Sequence, residues 1–388
     1  MTGLDRLKAE GWRRLRGQRV GLVVHPASVD ADLHHARDLF AHARPQVDLR
    51  ALFGPQHGIL GQTQDNMIEW QGFTDPELGV PVHSLYGEHR QPTPQMLEGL
   101  DTLVIDLQDV GARYYTFVWT LLLCLEACAE QGKRVVVLDR PNPLGGTAVE
   151  GNVLDPAYRS FVGLAPIPMR HGLTMGELAG FCRAWRGLDV ELEVVEMDGW
   201  SRAMDFEATG LPWVLPSPNM PTVDTAFVYP GGCLLEGTNL SEGRGTTRPF
   251  EIFGAPFIDA RELSGVLRAW NLPGCRFRPL NFEPTFHKFA GQVCGGVQVH
   301  VTDRALFEPV VTYTAAIAAV AGLCPGRFAW RQPPYEYETQ KLPIDILAGG
   351  SRWREQLEAG LSPWQMKAGW LEELRAFADV AAGHRRYD

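Results

Sequence analysis

The sequence predicts an α/β fold in two domains, with a parallel sheet in residues 1–215 and a smaller α/β or α+β unit in residues 216–388. Three observations support this prediction. The chain of 388 residues is longer than a single hydrophobic core usually serves. Its first half alternates short apolar runs with helical patterns, which is typical of a parallel sheet covered by helices. A proline-rich stretch at 211–230 indicates a crossing between the two domains.

Short apolar runs in the first half predict the strands of that sheet, at residues 19–24, 47–53, 103–107, 134–138 and 191–197. The run at 134–138 is as apolar as a strand buried on both faces. Helical patterns cover residues 1–19, 31–43, 116–131 and 174–185. The last of these begins with a capping box, because Thr174 is followed three residues later by Glu177. This order of elements is typical of a Rossmann-type sheet.

The second half contains fewer strand patterns. Helical patterns lie at 259–270, 303–323, 344–347 and 355–382, and a strand with an irregularity at Gly295 and Gly296 lies at 293–301. We therefore expect a smaller α/β or α+β unit, whose topology the sequence leaves open.

Composition argues against several classes of protein. The net charge of −10 makes a nucleic-acid partner improbable on physical grounds, because binding to phosphates needs a basic surface. No apolar run reaches the length of a membrane span, and residues 1–19 lack the apolar centre of a signal peptide. The seven cysteines form no C-x-x-C motif, so we expect reduced thiols in a cytoplasmic protein.

Polar motifs follow three of the predicted strands, at the edge where open parallel sheets bind ligands. The first motif is GPQHG at 54–58, continued by Asp65 and Asn66. Its glycines allow a ligand to approach the backbone closely. Gln56 can hydrogen-bond a substrate but cannot transfer a proton. His57 is either a catalytic group or a structural histidine bound to backbone.

The second motif is DLQDVGARYYTF at 106–117, which crowds carboxylates, an amide, an arginine and two tyrosines together. One interpretation is structural, with Asp109 near a helix start and Arg113 closing a local ion pair. We favour a site, because aromatic rings beside carboxylates suit the binding of sugar rings. The site residues predicted from this motif are Asp106, Gln108, Asp109, Arg113, Tyr114 and Tyr115.

The third motif is DRPNP at 139–143. Its two prolines restrict the backbone, so Arg140 and Asn142 would lose little entropy on binding a ligand. The alternative is a rigid structural turn. Farther along the chain, Arg170 and His171 precede the capped helix, whose N-terminus could bind an anion with them; a lone histidine is just as often structural.

The densest polar segment is EGTNLSEGRGT at 236–246. Glu236 and Glu242 are candidate general acid and base groups, and Arg244 could bind a substrate carboxylate through two hydrogen bonds. Asn239 adds an amide to the predicted binding residues. The alternative interpretation is a polar surface loop.

Several of these segments, taken in order, resemble one enzyme family. Motifs typical of other enzyme classes are missing. There is no G-x-G-x-x-G after the first strand, no P-loop, no H-E-x-x-H and no G-x-S-x-G, so nucleotide and zinc-protease sites are unsupported. The chain resembles the exo-β-N-acetylmuramidases of the NamZ type, glycoside hydrolase family 171, formerly DUF1343. The resemblance rests on segments 54–58, 106–117, 139–143, 169–172, 216–222 and 229–246.

The resemblance implies a Rossmann-like N-terminal domain, a smaller C-terminal domain and an active site in the cleft between them. It implies removal of β-linked N-acetylmuramic acid from the non-reducing end of peptidoglycan fragments, without a metal or other cofactor. The lactyl carboxylate of that sugar needs an arginine, for which Arg113, Arg140, Arg170 and Arg244 are the candidates. Asn219, in segment 216–222, is a further predicted binding residue.

The chain departs from the family pattern in the loop after the second strand. Many relatives carry Glu at the position of Gln56 and Asn at the position of His25, so residues 56 and 63–67 are typical of a subgroup with its own loop chemistry. Two alternatives to the muramidase therefore stay open. One is a glycosidase for another acidic hexosamine, and the other is a non-catalytic protein that binds or senses muramic-acid-type sugars.

Glycosidases usually act through two carboxyl groups. We predict Glu242 as one of them and Glu236, Asp106 or Asp109 as the other, and His57 or His171 could share the proton transfer. The sequence leaves open which group is acid and which is base, the stereochemical outcome and the oligomeric state. The expected partner is a small sugar substrate, with no nucleic acid and no membrane.

Overall fold

The computed structural model describes residues 1–65 and 67–388, so Asn66 of the predicted loop lies outside the described residues. The strands of the described part are β1 (Arg19–Val23), β2 (Asp48–Gly54), β3 (Phe73–Thr74), β4 (Pro81–Ser84), β5 (Thr102–Ile105), β6 (Arg134–Leu138), β7 (Glu150–Val153), β8 (Pro168–Arg170), β9 (Leu192–Val195), β10 (Ile252–Ala255), β11 (Cys275–Phe282) and β12 (Cys294–Val301). The α-helices there are α1 (Gly3–Ala9), α2 (Ala36–His42), α3 (Pro94–Leu97), α4 (Phe117–Glu130), α5 (Met175–Arg186), α6 (Val223–Gly232), α7 (Ala260–Ala269), α8 (Pro309–Leu323), α9 (Pro343–Ala348), α10 (Arg352–Glu358), α11 (Pro363–Ala368) and α12 (Leu371–Ala382).

A seven-stranded sheet of the described residues organises the first half, in the order β3-β4-β2-β1-β5-β6-β9. Its strands pair in parallel, except that β3 runs antiparallel to β4. The central strands are buried on both faces, which explains their continuous apolar runs. The predicted α/β fold with a parallel sheet is confirmed.

The carboxyl ends of three parallel strands meet at one edge of this sheet. Residues 55–58 follow β2, Asp106 follows β5 and Asp139 follows β6. The predicted convergence of three polar motifs at one edge therefore matches the topology.

The second half contains an antiparallel sheet in the order β10-β12-β11, with α7 and α8 beside it. The short antiparallel pair β7 and β8 contacts α12 and α8. Buried apolar side chains of both halves belong to one continuous cluster. A division at residue 215 therefore stays a prediction, because the two halves share a core.

The helices depart from prediction mainly at their ends. The pattern at 1–19 yields α1 and a short 3-10 helix at Arg13–Leu15, and the helix predicted from residue 303 begins at Pro309. Asp303 instead closes a turn, since its carboxylate accepts hydrogen bonds from the backbone N–H groups of Ala305 and Leu306. The long pattern at 355–382 divides into α10, α11 and α12. Every helix of the described residues is too short or too polar to cross a membrane.

Candidate active site

A narrow cavity of about 40 Å³ lies where segments from both halves of the chain meet. Six tyrosine and phenylalanine rings and eight polar side chains of the described chain line it, and such a mixture of aromatic and convergent polar groups is found in small-molecule sites. Among the described residues its lining consists of Gln56, His57, Tyr114, Tyr115, Thr116, Phe117, Val162, Ser217, Asn219, Met220, Tyr229, Glu236, Arg244, Phe250, Tyr335 and Glu336. Seven residues that the sequence predicted for the site are therefore brought together: Gln56, His57, Tyr114, Tyr115, Asn219, Glu236 and Arg244.

The loop after β2 contributes Gln56 and His57. The Oε1 atom of Gln56 accepts a hydrogen bond of 2.8 Å from Thr116 Oγ1, so its amide nitrogen is left to donate. His57 has a φ of 69°, and its Nδ1 atom donates to the carbonyl oxygen of Thr63 at 2.9 Å. Burial lowers the pKa of His57 to about 4, so its ring is neutral near pH 7. His57 can therefore hydrogen-bond a substrate but holds no acidic proton there.

Glu236 is oriented by two donors inside the cavity. Its Oε1 atom accepts from Arg244 Nη2 at 2.8 Å, and its Oε2 atom accepts from the Tyr335 hydroxyl at 2.8 Å. The Arg244 guanidinium also lies 5.0 Å from the centre of the Phe250 ring. Fixed in this way, Glu236 presents a carboxylate of defined position to any molecule in the cavity.

Glu242, the preferred catalytic carboxylate of the sequence prediction, is absent from the described lining and lies behind Arg244. It is fully buried, with Lys288 Nζ at 3.0 Å, His287 Nδ1 at 3.1 Å and Arg244 Nε at 3.4 Å. Burial acts to raise the pKa of Glu242, but the charges of Lys288, His287 and Arg244 outweigh it and hold the pKa well below its usual range. A carboxylate held ionised by neighbouring cations orients Arg244 and cannot donate a proton.

Glu336 is a carboxyl group of the cavity that the sequence prediction missed. It is 5% exposed, and its Oε2 atom accepts a hydrogen bond of 3.0 Å from the Tyr86 hydroxyl. Gln56 hydrogen-bonds it as well. Burial raises the pKa of Glu336 to about 7, and the nearby charge of Glu236 acts in the same direction, while the Tyr86 hydrogen bond opposes it.

Four tyrosines, Tyr114, Tyr115, Tyr229 and Tyr335, contribute to the walls of the cavity. Tyr114 donates its hydroxyl to the carbonyl oxygen of Pro230 at 2.5 Å. The Tyr115 ring packs edge-on against Tyr229, with ring centroids 5.8 Å apart. Asn219 is held by Gln64, since its Nδ2 atom donates to the Gln64 carbonyl oxygen at 2.5 Å. These contacts order the walls before any ligand is bound.

The predicted roles of Asp106 and Arg140 in binding or catalysis are not supported by the geometry. Both oxygens of Asp106 accept from Arg140, at 2.5 Å from Nε and 2.8 Å from Nη2, and both side chains are buried. Arg140 also donates to the carbonyl oxygen of Val29. The pair joins the ends of β5 and β6, because each member follows one of those strands and satisfies the other's charge.

Asp109, Gln108 and His171 form a second buried network instead of facing the cavity. The Oδ2 atom of Asp109 accepts from the Gly111 N–H at 2.7 Å and lies 3.1 Å from His171 Nε2. His171 Nδ1 accepts from the Leu173 N–H, so its proton is on Nε2. Gln108 donates to the carbonyl oxygens of Asp109 and Pro141. None of the three lies in the described lining of the cavity, and in this structure their contacts fix the conformation of the loop after β5.

Four further predicted binding residues are bound to backbone carbonyls elsewhere in the fold. Arg113 is fully buried and donates to three carbonyl oxygens. The three remaining side chains each donate to one, at distances of 2.8–2.9 Å, and they are Asn142 to Leu173, Arg170 to Leu144 and Asn239 to Arg327. They hold loops in place, and sequence patterns could not distinguish this use of a polar side chain from substrate binding.

The missed residues carried one usable signal. Tyr335, Glu336, Tyr337 and Glu338 alternate rings and carboxylates after two prolines, the same mixture that singled out segment 106–117. Tyr86 carried no comparable signal, and Tyr229 begins segment 229–246 but was not predicted as a site residue.

Two carboxylates and a histidine that could hold a metal ion lie outside the cavity. Ligand atoms of Asp30, Asp32 and His34 come within 4.8 Å of one another. Asp30 is already paired with Lys8 Nζ at 2.7 Å, and the other two side chains are exposed. This group has no connection to the chemistry of the cavity.

Comparison with known proteins identifies the family. The model of the N-terminal part of exo-β-N-acetylmuramidase NamZ matches residues 20–224, and the model of its C-terminal part matches residues 227–387. Peptidoglycan β-N-acetylmuramidase NamZ of Bacillus subtilis (strain 168) is 45% identical over 377 residues, which is 97% of this chain and 89% of that protein.

Solved structures agree with this assignment. A DUF1343 family protein of Bacteroides fragilis NCTC 9343 has a TM-score of 0.89 at 35% identity, covering 100% of this chain and 98% of its own. A second DUF1343 protein of the same strain has a TM-score of 0.78 at 27% identity, covering 100% and 99%. Because the two family models together span almost the entire chain, the resemblance seen in the sequence is confirmed, and the chain belongs to the NamZ family of exo-β-N-acetylmuramidases.

Proposed function

We propose that this chain is an exo-β-N-acetylmuramidase, a glycoside hydrolase that releases N-acetylmuramic acid from the non-reducing end of peptidoglycan fragments. Membership of the NamZ family supports the reaction. The observation that carries the proposal to this chain is a cavity in which a carboxylate, Glu236, is fixed beside Arg244 and surrounded by aromatic rings.

The chemistry of the cavity suits this substrate. Hydrolysis of a glycosidic bond passes through a sugar with positive charge at its anomeric carbon, and a fixed carboxylate stabilises that charge. Tyrosine rings pack against the apolar faces of a sugar, while Gln56, Asn219 and His57 offer hydrogen bonds to hydroxyl and acetamide groups. Of the four arginines considered for the lactyl carboxylate, Arg244 is the one in the described lining.

The proposal is tested by turnover of a chromogenic β-N-acetylmuramide and of the disaccharide N-acetylmuramyl-N-acetylglucosamine. We expect both to be hydrolysed by the wild type. Glu236→Gln should lower kcat by a factor of about 10²–10⁴, because the variant keeps the shape of the side chain and loses its charge. Glu251→Gln is the matched control: Glu251 is a buried glutamate of the same half that hydrogen-bonds Thr225 outside the cavity.

Different results would favour the alternatives. Hydrolysis of another β-linked acidic hexosamine, with the muramide left intact, would change the substrate and keep the reaction. Saturable binding of N-acetylmuramic acid without turnover of either substrate would indicate a binding or sensing protein. A cytoplasmic location also belongs to the proposal, and it is supported by seven cysteines that form no disulfide in the described residues; fractionation of cells producing the tagged protein tests it.

A further inference from the structure

Glu336 stands at the tip of an unusually strained turn. Tyr335 and Glu338 exchange two backbone hydrogen bonds of 2.9 Å, so Glu336 and Tyr337 form a two-residue hairpin loop. Both loop residues have positive φ angles, 44° and 68°. This conformation favours Asn-Gly and is unfavourable for Glu and Tyr. Strain of this kind persists where surrounding contacts enforce it, and it concentrates at functional sites.

The contacts that enforce the turn reach across to the first half of the chain. The Tyr337 hydroxyl donates to Glu69 Oε1 at 3.0 Å, and its ring lies under the Arg90 guanidinium at 3.6 Å. Tyr86 donates to Glu336 itself. Glu69, Arg90 and Tyr86 of the first half therefore hold the loop in place. The Glu336 carboxyl lines the same cavity as Gln56 and Glu236.

The carboxyl groups around the cavity have contrasting partners. Glu236 is bound by the cation Arg244, and Glu242 behind it is surrounded by Arg244, His287 and Lys288. The hydrogen bonds of Glu336 come from the neutral groups of Tyr86 and Gln56. When two carboxyl groups of one site have opposite environments, one usually donates the proton and the other stabilises charge as a carboxylate.

We propose that Glu336 is the proton donor of the hydrolysis and that Glu236 is the second carboxyl group. The inference rests on the proposed function. In the step that it describes, the Glu336 carboxyl proton passes to the glycosidic oxygen as the bond from that oxygen to the anomeric carbon breaks, and the oxygen keeps the bonding electrons. Water supplies a hydroxyl group to the anomeric carbon, and its remaining proton replaces the one that Glu336 released.

The titration of Glu336 fits this role. A donor must still hold its proton at the working pH, and the most effective donors have a pKa near that pH. Burial, the charge of Glu236 and the opposing effects of Tyr86 and Arg244 together place the pKa of Glu336 at about 7. Gln56 cannot take over the role, because an amide has no proton to release in this range.

The test compares two leaving groups in Glu336→Gln. A sugar leaving group needs the proton, whereas a dinitrophenolate leaves without one. We expect the variant to lose about 10²–10⁴-fold in kcat/KM on the disaccharide and less than about tenfold on dinitrophenyl β-N-acetylmuramide. Glu338→Gln is the matched control, since Glu338 lies in the same turn but accepts hydrogen bonds from Gln340 and Lys341.

The outcomes separate the inference from the proposed function. If the wild type hydrolyses neither substrate, the proposed function fails. If the wild type is active and Glu336→Gln loses the same factor on both substrates, or loses nothing, Glu336 is not the donor. Equal losses of kcat/KM on the two substrates would indicate that Glu336 has a positioning or structural role. The same comparison with Glu236→Gln would then show whether Glu236 donates the proton.

The pH dependence of the wild-type reaction tests the proposal without a change at Glu336, so it remains informative if Glu336→Gln does not fold. The wild-type kcat/KM on the disaccharide should fall as pH rises through about 7, because the donor loses its proton. Tyr86→Phe removes a hydrogen bond that lowers the pKa of Glu336, so this alkaline limb should move to higher pH. A limb that stays in place in Tyr86→Phe would overturn the assignment.

Discussion

Replacing Arg113 by Met distinguishes a structural arginine from the substrate-binding arginine that the sequence predicted. The guanidinium is fully buried. Its Nη1 atom donates to the carbonyl oxygens of Asn152 at 2.8 Å and Ile167 at 2.9 Å, and its Nη2 atom donates to that of Leu347 at 2.9 Å. Those carbonyls belong to β7, to the segment before β8 and to α9, so one side chain joins three segments.

The expected loss of stability follows from these bonds. Each carbonyl left without a partner destabilises the fold by about 1–3 kcal/mol, which gives roughly 3–9 kcal/mol for three. Replacing the buried charge by a neutral side chain offsets part of this loss of stability. Burial disfavours the cation, and it lowers the pKa of Arg113 to about 10. We expect Arg113→Met to lower the free energy of unfolding by about 3–5 kcal/mol. At about 2.1 cal/mol/K per residue, that corresponds to a fall in Tm of roughly 5 °C.

Urea unfolding followed by tryptophan fluorescence measures the free energy, and turnover of the chromogenic muramide at a temperature where the variant is folded measures function. The control is Arg16→Met, because Arg16 is exposed and such substitutions usually stay within about 0.5 kcal/mol. The structural reasoning would be refuted by an Arg113 variant as stable as the wild type whose KM has risen more than tenfold. That result would assign Arg113 to the substrate carboxylate.

Three further changes have defined consequences. Glu242→Gln should lower the free energy of unfolding by about 3–5 kcal/mol, because it leaves the buried Arg244 and the half-buried Lys288 beside a neutral group; a chemical denaturation curve checks this. Burial raises the pKa of Glu150 to about 7, so its contribution to stability is present below about pH 4.5 and is lost as pH rises through 7; Glu150→Gln should flatten that part of the Tm-against-pH curve. Thr174→Ala should cost about 1–2 kcal/mol by thermal unfolding, since Thr174 caps α5 and donates to buried Asp139 at 2.7 Å.

The fold was predictable where local patterns and tertiary structure agree. Buried parallel strands such as β1 and β6 need continuous apolar runs, and the capping box of α5 needs Thr174 and Glu177. Helix α6 was missed, because Pro230 and the glycines beside it indicate a loop. Glycine is needed in this helix because a Cβ at Gly231 would come within 2.0 Å of the Pro309 carbonyl oxygen at the start of α8. That reason exists only in the folded chain.

The site was predictable as a set of loops and not as a set of side chains. Segment 106–117 supplies Tyr114 and Tyr115 to the cavity, whereas its carboxylates turn to an arginine and a histidine of other loops. Sequence shows that polar groups are crowded, but their partners come from positions that are distant in the chain. For the same reason Glu336, which meets Tyr86 across 250 residues, carried only a weak signal.

The hydrogen-bond and ion-pair partners of a carboxyl group indicate its catalytic role better than its sequence neighbours do. Glu236 and Glu242 share one glycine-rich segment, and both are paired with Arg244. Glu336 comes from a separate turn and has no cation among its described hydrogen-bond partners, so burial favours its protonated form even though Tyr86 and Gln56 donate to it. A cavity that needs one group of each kind is therefore complete only when the strained turn at 335–338 is folded against the first half of the chain. It follows that contacts far from the sugar, such as Tyr337 with Glu69, should affect kcat through the position of the donor.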